Sequence, residues 1–89
     1  MQQIHIIVKG RVQGVFFRAK TRDKAIQIGI KGWVKNTGND VEIVAAGTEE
    51  QLSLFLRWCN TGPDIARVDS VDVKKEEQTE KYESFNIRY

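Results

Sequence analysis

The stretch from Gly10 to Arg18, GRVQGVFFR, constrains the fold most, because it joins an apolar strand-like run to a helical pattern. It contains glycines and no proline, so its backbone N–H groups are free to turn inward and form an anion-binding nest. The N-terminus of the following helix adds about half a positive charge to such a nest. Arg18 supplies a planar set of donors that suits two oxygens of one phosphate group. The sequence therefore predicts a small phosphate-binding loop.

A helix follows the loop and places Arg18 in its first turn. The residues that recur at helical spacing are Phe17, Thr21, Ala25 and Ile28. Gly29 is placed to end this helix with a left-handed cap. A cation in the first turn opposes the helix macrodipole unless an anion lies between them. The alternative is a solvated Arg18 or a surface ion pair with Asp23, and spacing alone leaves the two open.

Three apolar runs predict the first strands of the sheet. Ile4–Lys9 is rich in β-branched residues, and Ile30–Thr37 and Val41–Ala46 flank a dense turn signal, which predicts a hairpin. His5 is expected to lie exposed on the sheet and not to act as a catalytic base, because no polar partner is near it in sequence. Asn36, at the end of a strand, is either a turn residue or a functional one.

The second half of the chain predicts a capped helix followed by two strands. Thr48 and Gln51 form a capping box. The predicted buried stripe of the helix consists of Leu52, Phe55, Leu56 and Cys59. Ala66–Val73 predicts a half-exposed strand, Lys74–Glu83 a solvated strand end and loop, and Phe85–Tyr89 a short last strand. Cys59 is expected to be a core residue and not a reactive thiol.

This β-α-β-β-α-β order with a terminal strand predicts an α+β fold of the ferredoxin-like split βαβ type. Both helices are expected on one face of an antiparallel sheet, in a single domain that spans residues 1–89. Right-handed crossovers would bring Arg18 and Asn36 to one pocket.

The overall composition limits the possible partners and compartments. A hydrophobic fraction of 40% and a charged fraction of 29% are typical of a globular chain, and a net charge of +2 is too small to indicate a nucleic-acid partner. Its single cysteine cannot form an internal disulfide, and no cysteine cluster suggests zinc. The N-terminal residues resemble neither a signal peptide nor a membrane span. We therefore expect a cytoplasmic protein with no membrane partner.

Four motifs resemble the acylphosphatase family, and the resemblance runs essentially from end to end. They are GRVQGVFFR at Gly10–Arg18, GWVKNT at Gly32–Thr37, GPDIARV at Gly62–Val68 and FNIRY at Phe85–Tyr89. The resemblance implies a hydrolase that cleaves small-molecule acyl phosphates to a carboxylate and inorganic phosphate. We expect the enzyme to be a monomer and to need no metal or cofactor.

The resemblance also implies which residues act. Arg18 matches the phosphate-binding arginine of the family, and Asn36 matches the asparagine that orients the attacking water. The residues whose N–H groups would surround the phosphate are Arg11, Val12, Gln13, Gly14, Val15 and Phe16. Whether the side chain of Arg11 also contacts the substrate is left open.

The implied chemistry needs few protein groups. A carboxylate is a good leaving group that requires no general acid, and the loose phosphoryl transition state depends mainly on positioning and charge stabilisation. A phosphate oxygen of the substrate could accept the proton of the attacking water.

Other functions on the same fold are alternatives. The first is a non-catalytic regulatory module that binds a phosphorylated metabolite. An RNA-binding domain is disfavoured because the third strand, VEIVAAG, has no aromatic residue. A metal-binding ferredoxin-like domain would need a CxxC-type loop.

Overall fold

The computed structural model describes residues 2–14, 16–77 and 80–89, so Met1, Val15, Gln78 and Thr79 lie outside the described residues. Seven elements follow one another in the predicted order. They are β1 (Gln2–Arg11), α1 (Phe17–Ile28), β2 (Lys31–Thr37), β3 (Asp40–Gly47), α2 (Glu49–Thr61), β4 (Arg67–Glu76) and β5 (Phe85–Ile87). The strand β4 ends at Glu76, within the charged run where a solvated strand end is predicted, and its last residues are exposed.

The five strands form one sheet in the order β4-β1-β3-β2-β5. The pairs β1–β4, β1–β3 and β2–β3 are antiparallel, as predicted. The last strand is different, because β5 pairs parallel to β2, so the complete sheet is mixed. The fold is the predicted ferredoxin-like α+β sandwich with a parallel strand added at one edge.

The register of β3 aligns the ends of its two neighbours. Val41 on β3 lies opposite Val8 on β1 and also opposite Asn36 on β2. Because β1 and β2 are both antiparallel to β3, they are parallel to each other and end at the same edge of the sheet. Two strand spacings of nearly 5 Å separate Val8 from Asn36 by about 10 Å. This alignment of the three strands places the loop that follows β1 close to the end of β2.

Both helices pack on one face of the sheet around a single apolar cluster. Alternate residues of β1 point into this cluster. Its members from β1 and the two helices are Ile4, Ile6, Val8, Phe17, Ala25, Leu52, Phe55 and Cys59. The predicted arrangement of both helices on the same face is therefore confirmed.

The helix ends follow the predicted local chemistry. Thr48 and Gln51 form the capping box of α2, with each side chain bonded to the backbone N–H of the other residue. Gly29 adopts a left-handed conformation, φ 96°, and its N–H donates to the Ala25 carbonyl to close α1. On α2, Leu56 is only partly buried and packs at the margin of the core, so the predicted stripe is too wide at that position.

No helix among the described residues is both long enough and apolar enough to span a membrane.

The neighbouring residues Leu54 and Phe55 provide a matched test of the core. We expect Phe55→Ala to lower the free energy of unfolding by about 3–5 kcal/mol, because large-to-small changes in a packed core lose burial and leave a cavity. Phe55 is fully buried and contacts the Phe85 ring, with 6.1 Å between ring centroids. Leu54 is 46% exposed, and Leu54→Ala should change stability much less. Urea denaturation measures both, and equal losses would contradict this packing.

Candidate functional site

A cavity of about 340 Å³ opens at the edge of the sheet where β1 and β2 end. Its lining residues are Val12, Gln13, Gly14, Phe16, Phe17, Arg18, Ala19, Asn36, Ile87 and Tyr89. They come from the β1–α1 loop, the first turn of α1, the end of β2 and the end of the chain. The predicted proximity of Arg18 and Asn36 is confirmed, since both line this cavity.

A β-bulge lies near the end of β1, just before the loop. The register between β1 and β4 shifts at Lys9 and Gly10, where the backbone of Gly10 has φ 134°. A Cβ atom on Gly10 would lie 2.2 Å from the carbonyl oxygen of Arg67, so only glycine allows this approach. Beyond the bulge, β1 stays paired with β4 through Gly10 and Arg11, and the lining residues begin directly after this pair.

The side chain of Gln13 ties the loop to the β2–β3 turn. Its Nε2 donates to the carbonyl oxygens of Gly38 and Asp40, both at 2.8 Å. These two bonds hold the loop beside the turn that follows Asn36, and so set the two sides of the cavity relative to each other. Sequence reasoning assigned only a backbone role to Gln13 and missed this contact, because the partners are carbonyls of a distant turn.

Phe16 stands immediately before α1 in an unusual conformation. Its φ of 60° and ψ of 24° are left-handed, and its side chain is 74% exposed. For a residue other than glycine this conformation costs on the order of 1–2 kcal/mol. Phe16 has no side-chain oxygen with which to cap the helix, and the first turn contains no acidic residue. The first N–H groups of α1 therefore receive no cap from this residue.

Arg18 lies in the first turn of α1, as predicted. Its guanidinium lies over the ring of Tyr89, with 5.0 Å from Cζ to the ring centroid, which is within the range of a cation–π contact. The alternative ion pair with Asp23 is absent, because that carboxylate faces Arg22 at 3.4 Å. Within residues 2–14, 16–77 and 80–89, Arg18 has no carboxylate partner. Its donors are available to an anion in the cavity.

Asn36 lies at the end of β2 on the helix side of the sheet. Val34, two residues earlier, is fully buried in the core, and alternate strand residues share a face. Asn36 is itself exposed, because the core ends beneath it and the cavity begins. An amide there presents both a donor and an acceptor to anything bound beside Arg18.

The structure places some of the predicted loop residues differently. Arg11 is exposed, pairs with Arg67 in the sheet register, and does not line the cavity. The predicted role of Val15 falls outside the described residues. Four further residues line the cavity but were not predicted as site residues: Phe17, Ala19, Ile87 and Tyr89. The parallel pairing of β5, in which Ile87 lies opposite Val34, carries this end of the chain to the cavity.

His5 lies outside the cavity, as the non-catalytic interpretation predicts, but it is not free. Its Nε2 lies 2.6 Å from the Glu42 carboxylate, which also faces Lys35 at 3.7 Å. The alternation of β1 places His5 on the sheet face opposite the helices. The partner of His5 was not evident from the neighbouring sequence, because Glu42 lies on a different strand.

Cys59 is a core residue, as predicted. It is fully buried, and desolvation raises the pKa of its thiol from 9.0 to about 12. The thiol is therefore neutral at physiological pH and unreactive. The described residues contain no cluster of three or more His, Cys, Asp or Glu side chains arranged to hold a metal.

Comparison with known proteins identifies the family. The acylphosphatase family model matches residues 4–87. An acylphosphatase from Syntrophus aciditrophicus is 42% identical over all of this chain and 94% of its own length. The crystal structure of an acylphosphatase from Bacillus subtilis has 38% identity and a TM-score of 0.95, with both chains covered completely. An acylphosphatase structure from Coxiella burnetii has 40% identity and a TM-score of 0.93, over 98% of this chain and 92% of its own.

Sequence, fold and full-length similarity lead to the same result: the chain belongs to the acylphosphatase family of enzymes.

Proposed function

We propose that the chain hydrolyses the carboxyl–phosphate bond of acyl phosphates in the cavity described above. The observation that supports this most directly is that Arg18 and Asn36, from different elements, line one cavity together with the β1–α1 loop. This arrangement supplies a cation, backbone N–H groups and an amide around one small volume. Those are the groups that phosphoryl transfer to water requires when the leaving group needs no proton.

Arg18 and the loop would hold the phosphoryl group. The guanidinium can bond two phosphoryl oxygens at once, and the N-terminus of α1 attracts the same negative charge. Gly14 and Phe16 both have positive φ, the kind of backbone geometry in which neighbouring N–H groups converge on an anion. An anion between Arg18 and the helix end would also remove the repulsion between the cation and the macrodipole.

Asn36 would orient the attacking water, because its amide can accept a bond from the water while donating to another group. The water oxygen forms a new bond to phosphorus as the bond from phosphorus to the acyl oxygen breaks. The acyl oxygen leaves with the electron pair as a carboxylate. The proton of the water passes to a phosphoryl oxygen, so the products are a carboxylate and inorganic phosphate.

We further propose that residues 1–89 act as one domain and as a monomer with a small-molecule acyl phosphate as partner. All the groups assigned a role come from this one chain, so a second copy is not needed. The buried free thiol of Cys59 is compatible with the reducing cytoplasm. Turnover of benzoyl phosphate by the purified protein tests the function, and phosphate binding without turnover would instead favour the non-catalytic regulatory module.

Removal of the cation tests the assigned role of Arg18. Arg18→Ala should lower kcat/KM for benzoyl phosphate by roughly 10²–10³-fold or more, as expected for the loss of a preorganised charge-stabilising donor. It should also abolish competitive inhibition by inorganic phosphate. Arg22→Ala is the matched control on the same helix, since that guanidinium faces Asp23, and its kcat/KM should stay near the wild-type value. Retained phosphate inhibition in Arg18→Ala would refute the role.

A substitution at Asn36 should affect the chemical step without affecting phosphate binding. We expect Asn36→Ala to lower kcat by on the order of 10²-fold while the inhibition constant of phosphate changes little, because the amide acts on the water and not on the phosphoryl group. The control is Asn39→Ala in the exposed turn nearby, which should change neither quantity. Steady-state kinetics with phosphate as inhibitor measures both. A lost affinity with an intact kcat would contradict the water-positioning role.

Gln13 should act as a positioning residue through its two hydrogen bonds. We expect Gln13→Ala to lower kcat by about tenfold, which corresponds to about 1.4 kcal/mol in the barrier, because the loop is no longer held beside the β2–β3 turn. Gln13→Glu keeps the length but cannot donate to the Gly38 and Asp40 carbonyls, so it should be no more active than Gln13→Ala. Near-normal kcat in the glutamate variant would show that these bonds do not position the loop.

A further inference from the structure

Phe17 fixes the N-terminal end of α1 in the fold. Its side chain is buried in the core and also lines the cavity. Phe17 and Arg18 are consecutive, and consecutive residues lie about 100° apart around the axis of an α-helix. The packing of the Phe17 ring therefore sets the direction in which Arg18 leaves the helix. Local bonds contribute little to holding this end, because Phe16 offers no cap and the first turn has no acidic residue.

Trp58 on α2 forms one side of the site into which the Phe17 ring packs. The two rings have 5.6 Å between their centroids and 47° between their planes, a tilted arrangement that aromatic pairs favour. Trp58 is half-buried at the margin of the core and does not line the cavity. The contact with Phe17 therefore links α2 to the residue next to Arg18 without placing an α2 residue in the cavity.

The segment Gly62–Val68 reaches both ends of the β1–α1 loop. Gly62 packs against the Phe17 ring: with its φ of 69°, a Cβ atom on Gly62 would lie 3.1 Å from Cε2 of Phe17. The Gly62 N–H also donates to the Trp58 carbonyl at 2.7 Å. At the other end of the segment, Val68 pairs with Gly10, where the loop begins. None of residues 62–68, all of which the structure describes, lines the cavity itself.

We infer that Trp58 and the segment Gly62–Val68 position the β1–α1 loop by holding its two ends, with Trp58 as the positioning residue at the Arg18 end. The inference rests on the proposed function, because it takes Arg18 and the loop as the groups that bind the phosphoryl group. Trp58 acts through Phe17 and touches neither substrate nor reacting atoms. Without its ring, the first turn of α1 is held less firmly, and the Arg18 donors are less often in the productive geometry.

Substitutions at Trp58 test this role through phosphate affinity as well as turnover. Trp58→Leu stays apolar but removes the aromatic ring, and it should lower kcat/KM for benzoyl phosphate and raise the Kd of inorganic phosphate by about tenfold each. Trp58→Phe keeps a ring against Phe17 and should restore both quantities to near the wild-type values. Trp58→Met also lacks a ring, should behave like Trp58→Leu, and serves in its place if that variant does not fold. Steady-state kinetics and calorimetry measure the two quantities on folded protein.

Leu52→Ala is the matched control for a loss of stability. Leu52 is buried on the same helix and does not line the cavity. Its truncation should lower the urea midpoint but leave kcat/KM and the Kd of phosphate unchanged in folded protein. Equal losses of phosphate affinity in Leu52→Ala and Trp58→Leu would overturn the inference, because general destabilisation would then explain both.

The remaining outcomes separate the inference from the proposed function. Wild-type turnover of benzoyl phosphate with unchanged kcat/KM and phosphate Kd in Trp58→Leu would overturn only the role of Trp58. Failure of Trp58→Phe to restore phosphate affinity would also overturn it, because the ring contact would not be the determinant. Phosphate binding without turnover in the wild-type protein would overturn the proposed function, and the phosphate Kd of the variants would still decide the role of Trp58. A wild-type protein that neither binds phosphate nor turns over benzoyl phosphate would overturn both.

Discussion

The pairing of β3 with both β1 and β2 is the constraint on which the site depends. Because Val41 lies opposite Val8 on one side and Asn36 on the other, the two strands that flank β3 run in the same direction toward one edge of the sheet. A slip of one residue in the β2–β3 pairing would turn Asn36 to the other face, away from α1. The buried residues of all three strands resist such a slip. The geometry of the site is therefore specified by the core and not by the loop alone.

Several local features that cost folding stability are concentrated at the mouth of this cavity. Phe16 has a left-handed backbone, Arg18 is a cation at a positive helix end, and the aromatic rings of Phe16 and Tyr89 are exposed. The backbone of Phe16 and the position of the Arg18 cation both cost the isolated fold stability, whereas α2 begins with the full capping box at Thr48. Departures from local preference at one place, in an otherwise consistent fold, are typical of a binding site.

Local signals in the sequence predicted the structural features that depend only on neighbouring residues, such as helix ends. The cap at Gly29, the capping box at Thr48 and the position of Arg18 in a first turn all follow from spacing within a few residues. The proximity of Arg18 and Asn36 followed from strand order and the resemblance together. Periodicity did not separate the partly buried Leu56 from its fully buried neighbours, since the margin of a core depends on the elements around it.

Contacts between strands of the sheet could not be predicted from these local signals. The pairing of His5 with Glu42 requires the strand register, and the contribution of Tyr89 requires the parallel placement of β5. A three-residue strand with an exposed middle residue gives no sequence indication of which neighbour it joins or in which direction. Four residues that line the cavity were not predicted: Phe17 and Ala19 in the first turn of α1, and Ile87 and Tyr89 at the end of the chain. The bonding role of Gln13 was missed as well, because its partners belong to a distant turn.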